Sequence, residues 1–94
     1  MSIGLITLHL FIPSSRSLKD NRSVVKSLLT RLHDHYNLSC AELADQDKWQ
    51  VAVIGCAGIA ANKTLLEPHL HQAVNWVASQ QGNFELTQHS IEFL

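Results

Sequence analysis

The chain opens with a run in which apolar side chains occupy both parities. Gly4, Ile6, Leu8, Leu10 and Ile12 alternate with Ile3, Leu5, Thr7, His9 and Phe11. Period-two spacing predicts a strand, and both of its faces are largely apolar. Pro13, Ser14 and Ser15 break the run. Ser17, with Asp20 three residues on, then reads as an N-cap followed by an acid in the first turn. From Leu18 to Tyr36 the period lengthens. Leu18, Val25, Leu28, Leu29, Leu32 and Tyr36 recur at helical spacings, which predicts a helix with one face on a sheet.

Leu38 to Leu43 and Trp49 to Ala57 predict two strands, joined by the polar turn Ala44, Asp45, Gln46, Asp47 and Lys48 as a hairpin of the longer-loop kind. Gly58 closes the second of them. A second helix is expected from about Thr64 to Gln80, opened by the capping box Thr64 to Glu67, with Pro68 still in its first turns. Its buried stripe is Leu66, Leu70, Ala73, Val74 and Val77. Gly82 stops it, and Phe84 to Leu94 predicts a last strand. Phe84 and Leu86 differ in parity from Ile91 and Phe93, so a bulge is expected between Thr87 and Ser90. The order strand, helix, strand, strand, helix, strand in 94 residues predicts one ferredoxin-like α+β domain spanning 1–94. It would have a four-stranded antiparallel sheet with both helices on one face.

That arrangement leaves the other sheet face with Ile3, Leu5, Phe11, Trp49, Val51 and Val53, more apolar surface than a monomer usually exposes. Charged residues are only 16% of the chain, against roughly 25% in an average soluble domain, which adds to the expectation of self-association. Leu5, Phe11, Trp49 and Val51 are the candidate homodimer residues. The longest apolar run is far shorter than the roughly 20 residues that span a bilayer, and no cationic leader precedes it, so a cytoplasmic protein is expected.

Net charge is −1, but it is unevenly spread. Ser14 to His33 holds Arg16, Lys19, Arg22, Lys26 and Arg31 against Asp20, a net +4, and the remainder carries −5. On a helical wheel Lys19, Arg22, Lys26 and His33 fall within roughly 60° of one another, while Arg31 lies far round beside Asp20 and Asp34. Arg16 stands just before the cap, where free N–H groups and the helix dipole favour an anion. Arg16, Lys19, Arg22 and Lys26 are therefore the candidate contacts to a phosphate backbone. Stacking readout of single-stranded RNA is not expected, because Lys48 to Ile54 lacks the glycine and spaced aromatics of an RNA-recognition signature.

Cys40 and Cys56 are too few for a disulfide framework. With Ala44 opposite Lys48, Cys40 would face Ala52, and the two sulfurs would lie four residues out of register. That is roughly 13 Å along the strand, beyond disulfide reach, so both read as small core residues. Six histidines include His33 and His35, and His69 and His71. Residues two apart on a helix diverge by about 200°, so neither pair closes on one ion, and no metal or other cofactor is expected. The loop Pro13 to Ser17 has an arginine but not the glycines of an acylphosphatase-like anion cradle, and no nucleophile with a base can be assembled from spacing. A non-enzymatic protein is expected.

The run from Ile12 to Leu28, with Asn37-Leu38-Ser39, Ala41-Glu42 and Asp47-Lys48-Trp49-Gln50, resembles the YlxP-like family of small bacterial proteins over nearly the whole chain. The pairing of the Ser-Leu-Lys-x-x-Arg helix start with the later Trp-Gln is its most distinctive part. The resemblance implies a ferredoxin-like domain with no established catalysis or active-site residues. It also implies genes lying among those for translation initiation and ribosome maturation. The resemblance also implies a more densely charged helix start, from which Asn21 and Ser23 of this chain depart. The combined expectation is a dimeric protein that associates with ribosomal or pre-ribosomal RNA, or with a ribosomal protein, through its first helix. The alternative is a regulatory or scaffolding module that binds a small ligand or partner protein on the open sheet face.

Overall fold

The two periods in the sequence become two layers. In the computed structural model, which describes residues 1–44, 48–80 and 82–94, the order is β1 (Ser2–Phe11), α1 (Leu18–Tyr36), β2 (Ser39–Ala44), β3 (Val51–Ala60), α2 (Lys63–Ser79) and β4 (Glu85–Phe93). The strands form one antiparallel sheet in the order β2-β3-β1-β4. This is the ferredoxin-like α+β fold that the element order predicts.

The even-numbered residues of β1 face the helices. Ile6, Leu8 and Leu10 are buried and pair with Cys56, Ile54 and Ala52 of β3. Over them lie Val25, Leu28 and Leu32 of α1 and the full expected stripe of α2, Leu66, Leu70, Ala73, Val74 and Val77. Gly4 and Gly58 sit opposite one another in the sheet. A Cβ on Gly58 would come within 2.8 Å of Leu38 Cδ2 and 3.3 Å of Leu70 Cδ2, and one on Gly4 would strike Leu70. The absent side chains let α2 settle onto the central strands.

The first helix starts and stops where the sequence places it. Ser17 Oγ accepts from the Asp20 N–H, and Asn37 ends the helix in the left-handed conformation (φ 52°) with its N–H on the His33 carbonyl. The second begins earlier than expected, because Asn62 is the cap: its Oδ1 accepts from the Leu65 N–H at 3.0 Å, so Thr64 lies within the first turn. Asn and Thr both serve as N-caps, and the sequence offers both within three positions. The expected bulge in β4 falls at Thr87. Leu86 pairs with Leu10 and Gln88 with His9, and the Thr87 hydroxyl donates to the His9 carbonyl.

The hairpin of β2 and β3 requires a correction. Asp45, Gln46 and Asp47 of the expected turn lie outside the described residues, but the strands on either side do not pair around Ala44 and Lys48. Ala44 pairs with Val53, Glu42 with Ile54 and Cys40 with Cys56, with Leu43 as the extra residue of a bulge. The register thus differs by four residues from the expectation, and the cysteines are direct cross-strand neighbours. An even shift leaves every side chain on its original face, so hydrophobic patterning does not distinguish the two registers. The segment before β3 is held elsewhere. The Ile12 N–H donates to the Gln50 carbonyl at 2.8 Å, the Gln50 side chain reaches the Pro13 carbonyl, and Asn21 holds Trp49 and Val51. Those residues extend alongside β1 and α1 rather than turning back to β2, and β3 begins at Val51, two residues later than expected.

Candidate functional site

Asn21 falls on the buried seam of α1, in line with Val25, Leu28 and Leu32, and is 2% exposed. A buried amide must find partners. Its Nδ2 donates to the Trp49 carbonyl at 3.1 Å and to the Val51 carbonyl at 3.0 Å, which fixes the start of the helix against the entry to β3. Its place on the seam was the available signal.

With that seam inward, Lys19, Arg22 and Lys26 lie about 120° round the helix. All three are exposed, as is Arg16. Arg31 points the other way: its guanidinium lies 5.3 Å from the centre of the Trp76 ring, and Nη1 donates to Gln80 Oε1. The flank of α1 turned toward α2 therefore carries Arg31, and the basic stripe lies on the flank turned away from it. Lys19 to Lys26 covers about 10 Å of helix. Among the described residues, none of the four cations has a carboxylate within ion-pair distance. His33 is drawn to the end of the helix, with Nδ1 3.3 Å from the Leu38 carbonyl oxygen.

The loop before α1 already uses several of its donors. The Ser15 N–H donates to the Ile12 carbonyl, the Ser15 hydroxyl to the Ser17 carbonyl, and the Arg16 N–H to the Asp20 carboxylate at 3.0 Å. A convergent backbone cradle for a phosphate is not formed there. The anion-attracting elements are the side chains of Arg16, Lys19, Arg22 and Lys26.

The sheet face without helices carries Ile3, Leu5, Thr7, His9 and Phe11 of β1 beside Val51, Val53, Gly55, Ala57 and Ile59 of β3. Ile59 is 64% exposed, Leu43 55%, Trp49 52% and Phe11 36%. Trp49 stands just before β3 rather than within it. Small side chains at Gly55, Ala57 and Ala41 floor a hollow of about 330 Å³, with Leu5, Thr7 and Leu43 at its walls.

Two other histidines, His69 and His35, brace the helix layer. His69 Nε2 lies 2.6 Å from the Tyr36 carbonyl oxygen, and its ring also meets Tyr36, while His35 lies against Trp76. No group of three or more His, Cys, Asp or Glu among the described residues is placed to hold a metal ion. No helix among them is long and apolar enough to cross a membrane.

Comparison with known proteins agrees with the resemblance carried by the α1 start and Trp49-Gln50. Residues 3–91 match the family described as "Protein of unknown function (DUF503)". The chain belongs to that family. It is 31% identical over 77 residues to "Uncharacterized protein YlxP" of Bacillus subtilis (strain 168), covering 82% of this chain and 84% of that relative. The family has no established function, so a reading of this member's role rests on its own surfaces.

Proposed function

We propose that this protein is a non-enzymatic domain that associates with ribosomal or pre-ribosomal RNA through the outer flank of α1. The observation that carries the reading is the stripe of Lys19, Arg22 and Lys26, with Arg16 at its head, all four side chains exposed and none in an ion pair with a carboxylate among the described residues. A rigid helix presenting cations one turn apart matches the repeating charge of a nucleic-acid backbone, and such contacts give affinity without sequence readout. The chain's overall charge is −1, so the attraction is local, and the acidic remainder opposes non-specific coating of the protein by RNA. Asn21 supports the stripe indirectly by fixing the first turns of α1 to β3.

The test is co-sedimentation with ribosomal subunits at low salt. The triple variant Lys19→Glu, Arg22→Glu, Lys26→Glu should leave the subunit fractions while keeping the wild-type circular dichroism spectrum. A folded variant that still travels with the subunits would refute the reading.

A second reading is favoured by a separate observation, the uncovered apolar sheet face. Leu5, Phe11 and Val51, flanked by Trp49 and Ile59, would supply the surface of a two-fold homodimer. Dimerisation is compatible with RNA association, because α1 lies on the opposite side of the sheet and a dimer would present two basic stripes. The same face is where a scaffolding role, with a small ligand or partner protein in the hollow over Gly55, would reside.

A further inference from the structure

Cys40 and Cys56 border the hollow over Gly55, and their placement has chemical content of its own. They are directly opposite in the antiparallel pairing of β2 and β3. Opposed residues in such a ladder have Cα atoms about 4.5 or 5.5 Å apart, depending on the hydrogen-bonding of the pair, and both values lie within the span a disulfide accepts. Both side chains point to the helix side of the sheet, in line with Leu38 and Ile54, where Cys56 is part of the core and Cys40 packs against it. Both are free. The Cys40 sulfur also lies 3.7 Å from the Leu38 carbonyl oxygen.

The two sulfurs differ in access. Cys56 is 3% exposed on an interior strand, whereas Cys40 is partly exposed on β2, the edge of the sheet. They differ in acidity in the same sense. The adjacent Cys56 thiol lowers the Cys40 thiol below its usual range against an opposing effect of burial, while the Cys40 thiol beside it, burial and the neighbouring charge push Cys56 up. One member is therefore an accessible nucleophile and the other a shielded thiol in contact with it.

We propose that Cys40 and Cys56 are a reversible redox-modification site, closed to a cross-strand disulfide by low-molecular-weight disulfides of the glutathione class and reopened by thiols. The Cys40 thiolate attacks one sulfur of the small disulfide, forming a mixed disulfide and releasing one thiolate. Cys56 then attacks the Cys40 sulfur, loses its proton to the departing group and expels the second small thiol. Two protein thiols are oxidised to one disulfide, and one small disulfide is reduced to two thiols. The closed bridge ties edge strand β2 to β3 and encloses the stretch that contains Trp49 and Gln50, so the redox state would set how freely this edge opens. The site is independent of RNA association.

The experiment treats the full-length wild-type chain with glutathione disulfide and follows intact mass and peptide maps. The expected result is loss of two hydrogens in monomeric protein, a Cys40–Cys56 peptide link, no lasting glutathione adduct and full reversal by dithiothreitol. Cys56→Ala should accumulate a glutathione adduct on Cys40, because the second step is removed. Cys40→Ala should remain largely unmodified. Alkylation of the wild type should label Cys40 first, with its rate rising at lower pH than that of a free cysteine. A wild-type chain that stays fully reduced, keeps a stable adduct, or links only between chains would overturn the proposal. Those outcomes are read on the wild type and do not depend on either variant folding.

Discussion

Asn21 shows how much one side chain can fix. It is buried, and both of its amide hydrogens are used on the carbonyls of Trp49 and Val51. Asn21→Ala removes both bonds and leaves two carbonyls short of a donor, at a cost of about 1–3 kcal/mol. Urea denaturation should show a lower midpoint with an unchanged slope, and a midpoint equal to wild type would mean that water replaces the amide without loss. Asn21 was readable as a polar residue on an apolar helical seam, but its partners were not, since they lie 28 and 30 positions away in the sequence. The thiols make the same point from the other side. Their residue types and burial were expected, yet their adjacency depends on a register that no local signal specifies.

The elements differ in how far the sequence determined them. The buried helix seams, the alternation of buried and open positions along β1 and the bulge at Thr87 follow from periodicity, because each follows the spacing of apolar residues. The β2 and β3 register does not, because a four-residue slip preserves every face, and the segment before β3 is held by long-range bonds to Ile12 and Asn21 rather than paired with β2. Capping chemistry was legible as a class, although Asn62 rather than Thr64 opens α2. Packing of α2 on the sheet depends on the paired glycines. Gly58→Ala would place a methyl group 2.8 Å from Leu38 Cδ2, just before β2, and 3.3 Å from Leu70 Cδ2 of α2, so Leu38 must shift rotamer and Leu70 must give slightly, at about 1–3 kcal/mol by the usual cost of overpacking. Thermal unfolding checks this, and an unchanged midpoint would show that Leu38 yields freely.

At the scale of the molecule, the two sides of the sheet pose separate questions. One carries the helix layer with its basic flank, and the other is apolar and uncovered. If the open face is a homodimer interface, light scattering should give twice the monomer mass, and Leu5→Glu should give the monomer mass with the fold retained. A wild-type monomer at micromolar concentration would remove that reading and leave the face to a partner or ligand. The fold class was legible from element order alone. The candidate basic surface was legible as residues on a wheel, and the structure adds that its flank faces away from α2, while Arg31 is engaged with Trp76 and Gln80.

The most direct test of the central claim is the salt dependence of binding to purified ribosomal RNA, followed by fluorescence anisotropy. Four phosphate contacts from Arg16, Lys19, Arg22 and Lys26 predict that log affinity falls with log salt at a slope of about −3 to −4, and that Lys26→Gln makes the slope shallower by about one. Binding that is insensitive to salt, or no binding at low salt, would contradict the assignment of the α1 flank to RNA.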